Sequence, residues 1–232
     1  MGGGFRGGFA VGFRLFPGHG VIYLDNNATT QPSAGVVAAM CDALQACWHN
    51  PSSIHRAGQI ARQKVELARR DVAGLIGAKP RQIVFTSSGT ESIDLVIRGL
   101  VDFKSKTVAK PVVITSLIEH GAVRELVHDL AQRGVIEARY LPIARGGFVD
   151  AGALPGLLGN AAEAGRVACV SVMWANNETG MVQPVETIGR YCRERGVTFH
   201  CDGTQWVGKM LVRVEAESDE ATRRRGEAVV GL

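Results

Sequence analysis

The chain has 232 residues, 46% of them hydrophobic and 21% charged, with a formal net charge of +4. That length can bury a substantial core, and the composition is that of an ordinary globular protein rather than a disordered or fibrous one. The basic residues are scattered apart from the run Arg223–Arg225, with no aromatic residues interleaved, so nucleic-acid binding is not expected.

The five cysteines, Cys41, Cys47, Cys169, Cys192 and Cys201, form no C-x-x-C pair, and Cys169 and Cys201 lie in apolar runs. An odd number of such thiols is expected to be reduced, which points to the cytoplasm. No stretch reaches the ~18 uninterrupted apolar residues of a membrane span. Residues 1–20 carry five glycines among the first eight and lack a continuous apolar segment. They are expected to be a disordered or spurious leader rather than a signal peptide.

Val21–Leu24 is a short apolar run, and Asp25–Thr30 is a cluster of small polar side chains, suited to a turn or to the floor of a polar site. Ser33 is placed to cap a helix carrying Val36, Val37, Met40 and Leu44. After the break at His49–Ser53, a long helix is predicted with Ile60, Val65, Ala68, Val72 and Leu75 on its buried face and Gly77 as its stop. His49 and His55 are six apart across a Pro-containing loop with no third ligand near, so no metal is expected.

Ile83–Thr86 reads as a buried strand running into Ser87-Ser88-Gly89-Thr90-Glu91 and then a helix with Leu95, Val96 and Leu100. Backbone N–H groups, hydroxyls and the positive end of a helix dipole then converge on one spot, which is an anion site. Ser88 or Thr90 could instead simply cap the helix. Three hydroxyls and a glycine together exceed what capping requires, so phosphate binding is preferred.

The alternation continues with strands at Pro111–Ser116, Val135–Leu141, Val167–Trp174 and Val197–Asp202, and with helices at Gly121–Arg133, Ala151–Leu158 and Val185–Arg195. This is an α/β pattern with a mostly parallel sheet flanked by helices. Polar clusters follow the strands: Ser87–Thr90, Glu119-His120, Asn176–Glu178 and His200–Gln205. In a parallel sheet those strand ends face one crevice. Each has a plainer reading, His120 as a helix-start histidine and the Asn pair as a turn. Gathered on one edge, they describe a pocket with an anion cradle, an imidazole, amides and the Asp202 carboxylate.

Six segments carry a specific resemblance: YLDNNATT, NPSSIHRAG, IVFTSSGTES, ITSLIEHGAV, ANNETGMVQPV and FHCDGTQWVGK. Together, in this order, they resemble the cysteine desulfurase and selenocysteine lyase family, pyridoxal-phosphate enzymes of the class V aminotransferase type. The resemblance implies the large domain of a fold-type I enzyme, incomplete, over residues 21–214, with a divergent, polar, helix-compatible tail at 215–232. It implies pyridoxal 5'-phosphate as cofactor. Ser88, Gly89 and Thr90 would lie at its phosphate, and His120 would stack on the ring and move protons. Asn177 and Gln205 would serve as amides of the site, with Asp202 as partner of the ring nitrogen. The implied reaction removes sulfur from L-cysteine, or selenium from L-selenocysteine, in a homodimer that passes sulfur to acceptor proteins. No His-Lys pair for the family's cofactor-linking lysine and no match to its catalytic-loop cysteine occur here, and Lys209 belongs to a different motif. The chain is therefore expected to be a truncated or frameshifted product, inactive alone. A non-catalytic protein that binds the cofactor or a partner subunit is the alternative.

Overall fold

The computed structural model describes residues 22–212 and the backbone of 228–231. The expected leader at 1–20 and most of the tail at 215–232 lie outside the described residues. The chain divides into two units, Met1–Gln31 and Pro32–Leu232. In the first, residues 22–31 are exposed and make a turn in which the Asp25 carbonyl accepts the N–H groups of Ala28 and Thr29. The Tyr23 hydroxyl donates to the carbonyls of Asp25 and Thr29.

In the second unit, α1 (Ala34–Ala46) starts where expected, with the Ser33 hydroxyl accepting the Val36 N–H. The next helix, α2 (Arg56–Ile76), ends at Gly77, whose φ of 71° is the left-handed value that closes helices. Its buried face is not the expected one. Gly58, Ala61, Ala73 and Ile76 are buried, whereas Ile60, Val65 and Leu75 are exposed. Small residues on that face allow close approach, and the larger aliphatics face outward. His55 caps this helix through Nδ1, which accepts the Gly58 N–H, and His49 stacks on Trp48. Among the described residues no cluster of three or more His, Cys, Asp or Glu is placed to hold a metal ion. None of their helices is long and apolar enough to cross a membrane.

Ile83–Thr86 is extended but is not a strand, which corrects the expectation. Its backbone has no ladder partner among the described residues. The Ile83 carbonyl instead accepts the Arg69 guanidinium of α2, which also lies 5.0 Å over the Phe85 ring. The helix after it, α3 (Gly89–Ser105), buries Ile93, Ile97 and Val101.

The sheet comprises β1 (Val112–Thr115), β2 (Glu137–Tyr140), β3 (Val167–Met173), β4 (Phe199–Asp202) and β5 (Ala228–Gly231). All pairings are parallel, in the order β2-β1-β3-β4-β5. The remaining helices are α4 (Gly121–Gln132), the short α5 (Leu154–Leu158) and α6 (Ala161–Ala164), and α7 (Val185–Glu194). The described part of the tail is therefore a strand rather than a helix. Ala-Val-Val-Gly is apolar and β-branched at its centre, which suits an extended segment beside β4.

Two apolar layers flank the sheet. Val113 and Cys169 pack with α3 and α4 residues such as Ile97, Val123 and Leu130. Ile114, Val170, Val172, Phe199 and Cys201 pack with Leu154, Leu158 and Ile188 on the other face. The β1-to-β2 connection runs one way along the sheet, and the later connections run the other way. Because such crossovers are right-handed, the reversal puts α4 on one face and α5 and α7 on the opposite one. Residues of β1, β3 and β4 are buried on both faces, as the inner strands of a parallel sheet covered by helices are. Strand β2 is one edge of the sheet and carries charge: Glu137 pairs with Arg139 at 2.7 Å and with Arg166 at 2.9 Å.

Candidate functional site

The chain leaves β1 toward β2 and returns to place β3 on the other side of β1. The loops after β1 and β3 consequently diverge, and this switch point is where α/β sheets hold ligands. A cleft of about 300 Å³ occupies it, lined by Ile118, Glu119 and His120 after β1 and by Asn176–Thr179 after β3, with Arg124 from α4. Asn176 holds the two loops together. Its Nδ2 donates to the Ile118 carbonyl at 2.8 Å, and its Oδ1 accepts the N–H groups of Glu178 and Thr179.

His120 is exposed in this cleft and caps α4, its Nδ1 accepting the Ala122 N–H at 3.2 Å. His120 thus both starts the helix and lines the cleft. Asn177 lines the same cleft and donates to Glu178. Neither Asp202 nor Gln205 nor the Ser88–Thr90 turn lines it.

Asp202 ends β4 in register with Met173 of β3 and is buried. Its Oδ1 accepts the Thr204 N–H at 3.0 Å. Glu119 connects it to the cleft. One Glu119 oxygen accepts the Ser116 hydroxyl at 2.6 Å, and the other accepts the Met173 N–H at 2.8 Å. Burial pushes the Glu119 carboxyl up to about 8, with Asp202 adding to the rise against the two hydrogen bonds. Sequence reasoning noted Glu119 beside His120 but gave it no role. The available signal was an acid between a largely apolar strand and a helix start. A second unforeseen element is the buried pair Ser171 and His200, whose Oγ and Nδ1 are 2.8 Å apart. Burial lowers the His200 imidazole to about 4, despite the opposing pull of Asp202, so it is neutral near pH 7.

At the N-terminus of α3, Ser88 does cap the helix, its hydroxyl accepting the Glu91 N–H at 3.2 Å. The Glu91 carboxylate turns back onto Ser87, accepting both its hydroxyl and its N–H. Those bonds, the hydroxyl's first, hold Glu91 below the usual carboxylate range. The turn also meets the loop after β4: a Cβ placed on Gly89 would lie 3.5 Å from the Thr204 Oγ1. Thr204 thus stands between the expected anion cradle and Asp202. Gln205 accepts the Lys209 ammonium through Oε1, and Trp206 stacks on Trp174 with ring centroids 5.1 Å apart. Burial raises the Cys169 and Cys192 thiols to about 12 and raises Cys201 as well, so none of these three is a ready nucleophile.

A parallel sheet whose strand ends present a buried carboxylate, an imidazole and a helix N-terminus is the ligand-binding arrangement of an open α/β fold. The aminotransferase class-V family model matches residues 22–218, and the chain belongs to that family. It is 40% identical over 198 residues to cysteine desulfurase 2 of Trichormus variabilis, covering 85% of this chain and 48% of that protein. It is 41% identical over 211 residues to the cysteine desulfurase IscS of Neisseria meningitidis, covering 90% of this chain and 50% of that protein. Among solved structures, it is similar to a NifS-like protein with a TM-score of 0.76 and 34% identity, over 84% of this chain and 52% of that one. The chain spans about half the length of these relatives.

Proposed function

We propose that the chain carries the cofactor-binding part of a pyridoxal-phosphate-dependent cysteine desulfurase. The observation that carries this reading is the join between α3 and β4, where Gly89 stands against Thr204 and Thr204 is bonded to Asp202. An anion cradle and a buried carboxylate that both meet Thr204 fit a ligand that is phosphorylated at one end and basic at the other. Bound there, pyridoxal phosphate supplies an electron sink for negative charge developing at the α-carbon of an amino acid.

The chain's own residues have separable tasks in this reading. Gly89, Thr90 and Thr204 hold the phosphate, with Ser87 and Ser88 shaping the turn through their bonds to Glu91. Asp202 keeps a proton at the ring nitrogen, a role that requires the carboxylate to be ionised. His120, exposed in the cleft, covers the ring and moves a proton. Asn177 and Gln205 orient the polar groups on the substrate side. L-cysteine is the proposed substrate, with L-selenocysteine as the chemical near neighbour, and the relatives' names support the sulfur compound. A homodimer, transfer of sulfur to acceptor proteins and a cytoplasmic location belong to the same proposal. Five free thiols support the location.

Titration of the purified full chain with pyridoxal phosphate, followed by absorbance and tryptophan fluorescence, tests the reading. Saturable 1:1 binding that Asp202→Asn weakens by roughly tenfold to a hundredfold is expected, the equivalent of losing a hydrogen bond to a charged group. Binding unchanged by that substitution would remove the proposed role of Asp202, and absence of binding would remove the cofactor reading for this chain.

A further inference from the structure

Glu119 is a buried acid with no assigned task in the reaction just proposed. It is 4% exposed, and no ion pair reaches it among the described residues. Asp202 and Cys201 from β4 interact with it electrostatically, and His120 and Arg124 from the start of α4 and Glu178 from the loop after β3 line the same cleft. Its carboxyl oxygens reach across the sheet, one to Ser116 at the end of β1 and one to the N–H of Met173 at the end of β3. Met173 is in turn the register partner of Asp202.

A buried carboxyl with no ion pair and a second buried acid nearby favours its neutral form, since charge is costly away from water and like charges repel. The two sites differ in their contacts. Asp202 accepts a backbone N–H and faces the loop where a basic nitrogen would sit. Glu119 has a hydroxyl partner that can accept as well as donate, so a protonated Glu119 loses no hydrogen bond: its O–H donates to Ser116, and its other oxygen still accepts Met173.

We propose that Glu119 is a positioning residue acting as a neutral carboxylic acid, clasping the end of β1 to the end of β3 so that His120 is held in the cleft. The tasks of His120 and Asp202 rest on the cysteine desulfurase reading, while the clasp itself does not. Its upward-shifted ionisation agrees with the geometry.

Infrared difference spectroscopy and thermal melting of the full chain, as wild type, Glu119→Gln and Glu119→Ala, test the proposal. The carbonyl band of a protonated carboxylic acid is expected at pH 7 in the wild type, lost by pH 10, and missing from Glu119→Gln. That amide keeps both hydrogen bonds, so its melting temperature should fall less than that of the wild type between pH 6 and pH 9.5. Glu119→Ala should melt lower at both pH values; if it does not fold, the Gln variant and the infrared band still decide. Affinity for pyridoxal phosphate should fall more steeply from pH 7 to 9.5 in the wild type than in Glu119→Gln. No protonated-acid band at pH 7, or equal pH slopes in the two proteins, would overturn the proposal. Failure of the wild type to bind pyridoxal phosphate at any pH would count against the functional reading alone, because the infrared and melting results do not involve the cofactor.

Discussion

Ser171 and His200 face each other across β3 and β4, Oγ to Nδ1 at 2.8 Å, with both side chains fully buried. The other ring nitrogen, Nε2, has no hydrogen-bond partner among the described residues. A charged imidazole would need two acceptors, and this one has at most Ser171, so the ring is held neutral well below its ordinary range, at about 4. The pH dependence follows. A folded-state value below the unfolded one gives stability that is complete above about pH 6.5 and is lost as pH falls through about pH 4. Chemical denaturation at pH 6.5 and pH 4.5 should show a smaller loss in His200→Gln than in the wild type. Equal losses would mean that His200 is solvated or already charged.

Glycine 58 explains part of the segment NPSSIHRAG. Its N–H is held by the His55 cap, and a Cβ there would lie 2.5 Å from the Ser53 carbonyl oxygen and 2.8 Å from that of Asn50. Backbone cannot yield as a side chain does, so Gly58→Ala should destabilise by about 1–3 kcal/mol, the range for forced overpacking. Gly74 lies in the same helix, and a Cβ there meets nothing within 4 Å. Gly74→Ala should instead stabilise by about 0.5–1 kcal/mol through helix propensity. Opposite signs in paired urea melts are the expected outcome, and a destabilised Gly74→Ala would show that α2 packs differently.

A sharper test of the anion cradle uses Gly89. Its Cβ would make an ordinary contact with Thr204 at 3.5 Å, so Gly89→Ala should leave folding within about 0.5 kcal/mol of the wild type. The added methyl would nevertheless stand where backbone N–H groups need to approach a phosphate. Affinity for pyridoxal phosphate should fall on the order of tenfold, or about 1.4 kcal/mol. The same substitution should leave pyridoxal lacking the phosphate bound as weakly as it is by the wild type. A loss shared by both compounds would locate the effect away from the cradle.

The sheet and the edge that carries the site were legible because the segments of β1 and β3 are largely apolar and run into polar residues, as strands of a buried parallel sheet do. Helices α1, α3, α4 and α7 were legible from period and caps. Of the features that were not, three show why. Ile83–Thr86 has strand composition, but composition cannot say whether a neighbour exists to pair with, and Arg69 takes its carbonyl instead. The buried side of α2 follows the small residues Gly58, Ala61 and Ala73, which a search for large aliphatics passes over. Glu119 was invisible as a clasp because its partners, Ser116 and Met173, come from two strands joined only by the topology.

Lys209 is the lysine that follows the Asp202–Gln205 stretch, and its amine is tied to the Gln205 side-chain oxygen through Nζ. It is exposed on the loop after β4, and a lysine that condenses with a carbonyl must present a free amine to it. Mixing the full chain with pyridoxal phosphate, reducing with borohydride and mapping peptides should therefore give scattered, substoichiometric modification of surface lysines. Lys209→Arg should leave that pattern and the non-covalent affinity within about twofold of the wild type, since the Gln205 contact survives. Stoichiometric labelling of Lys209, abolished by Asp202→Asn, would instead make it the covalent anchor and would require the loop after β4 to place its amine inside the cradle.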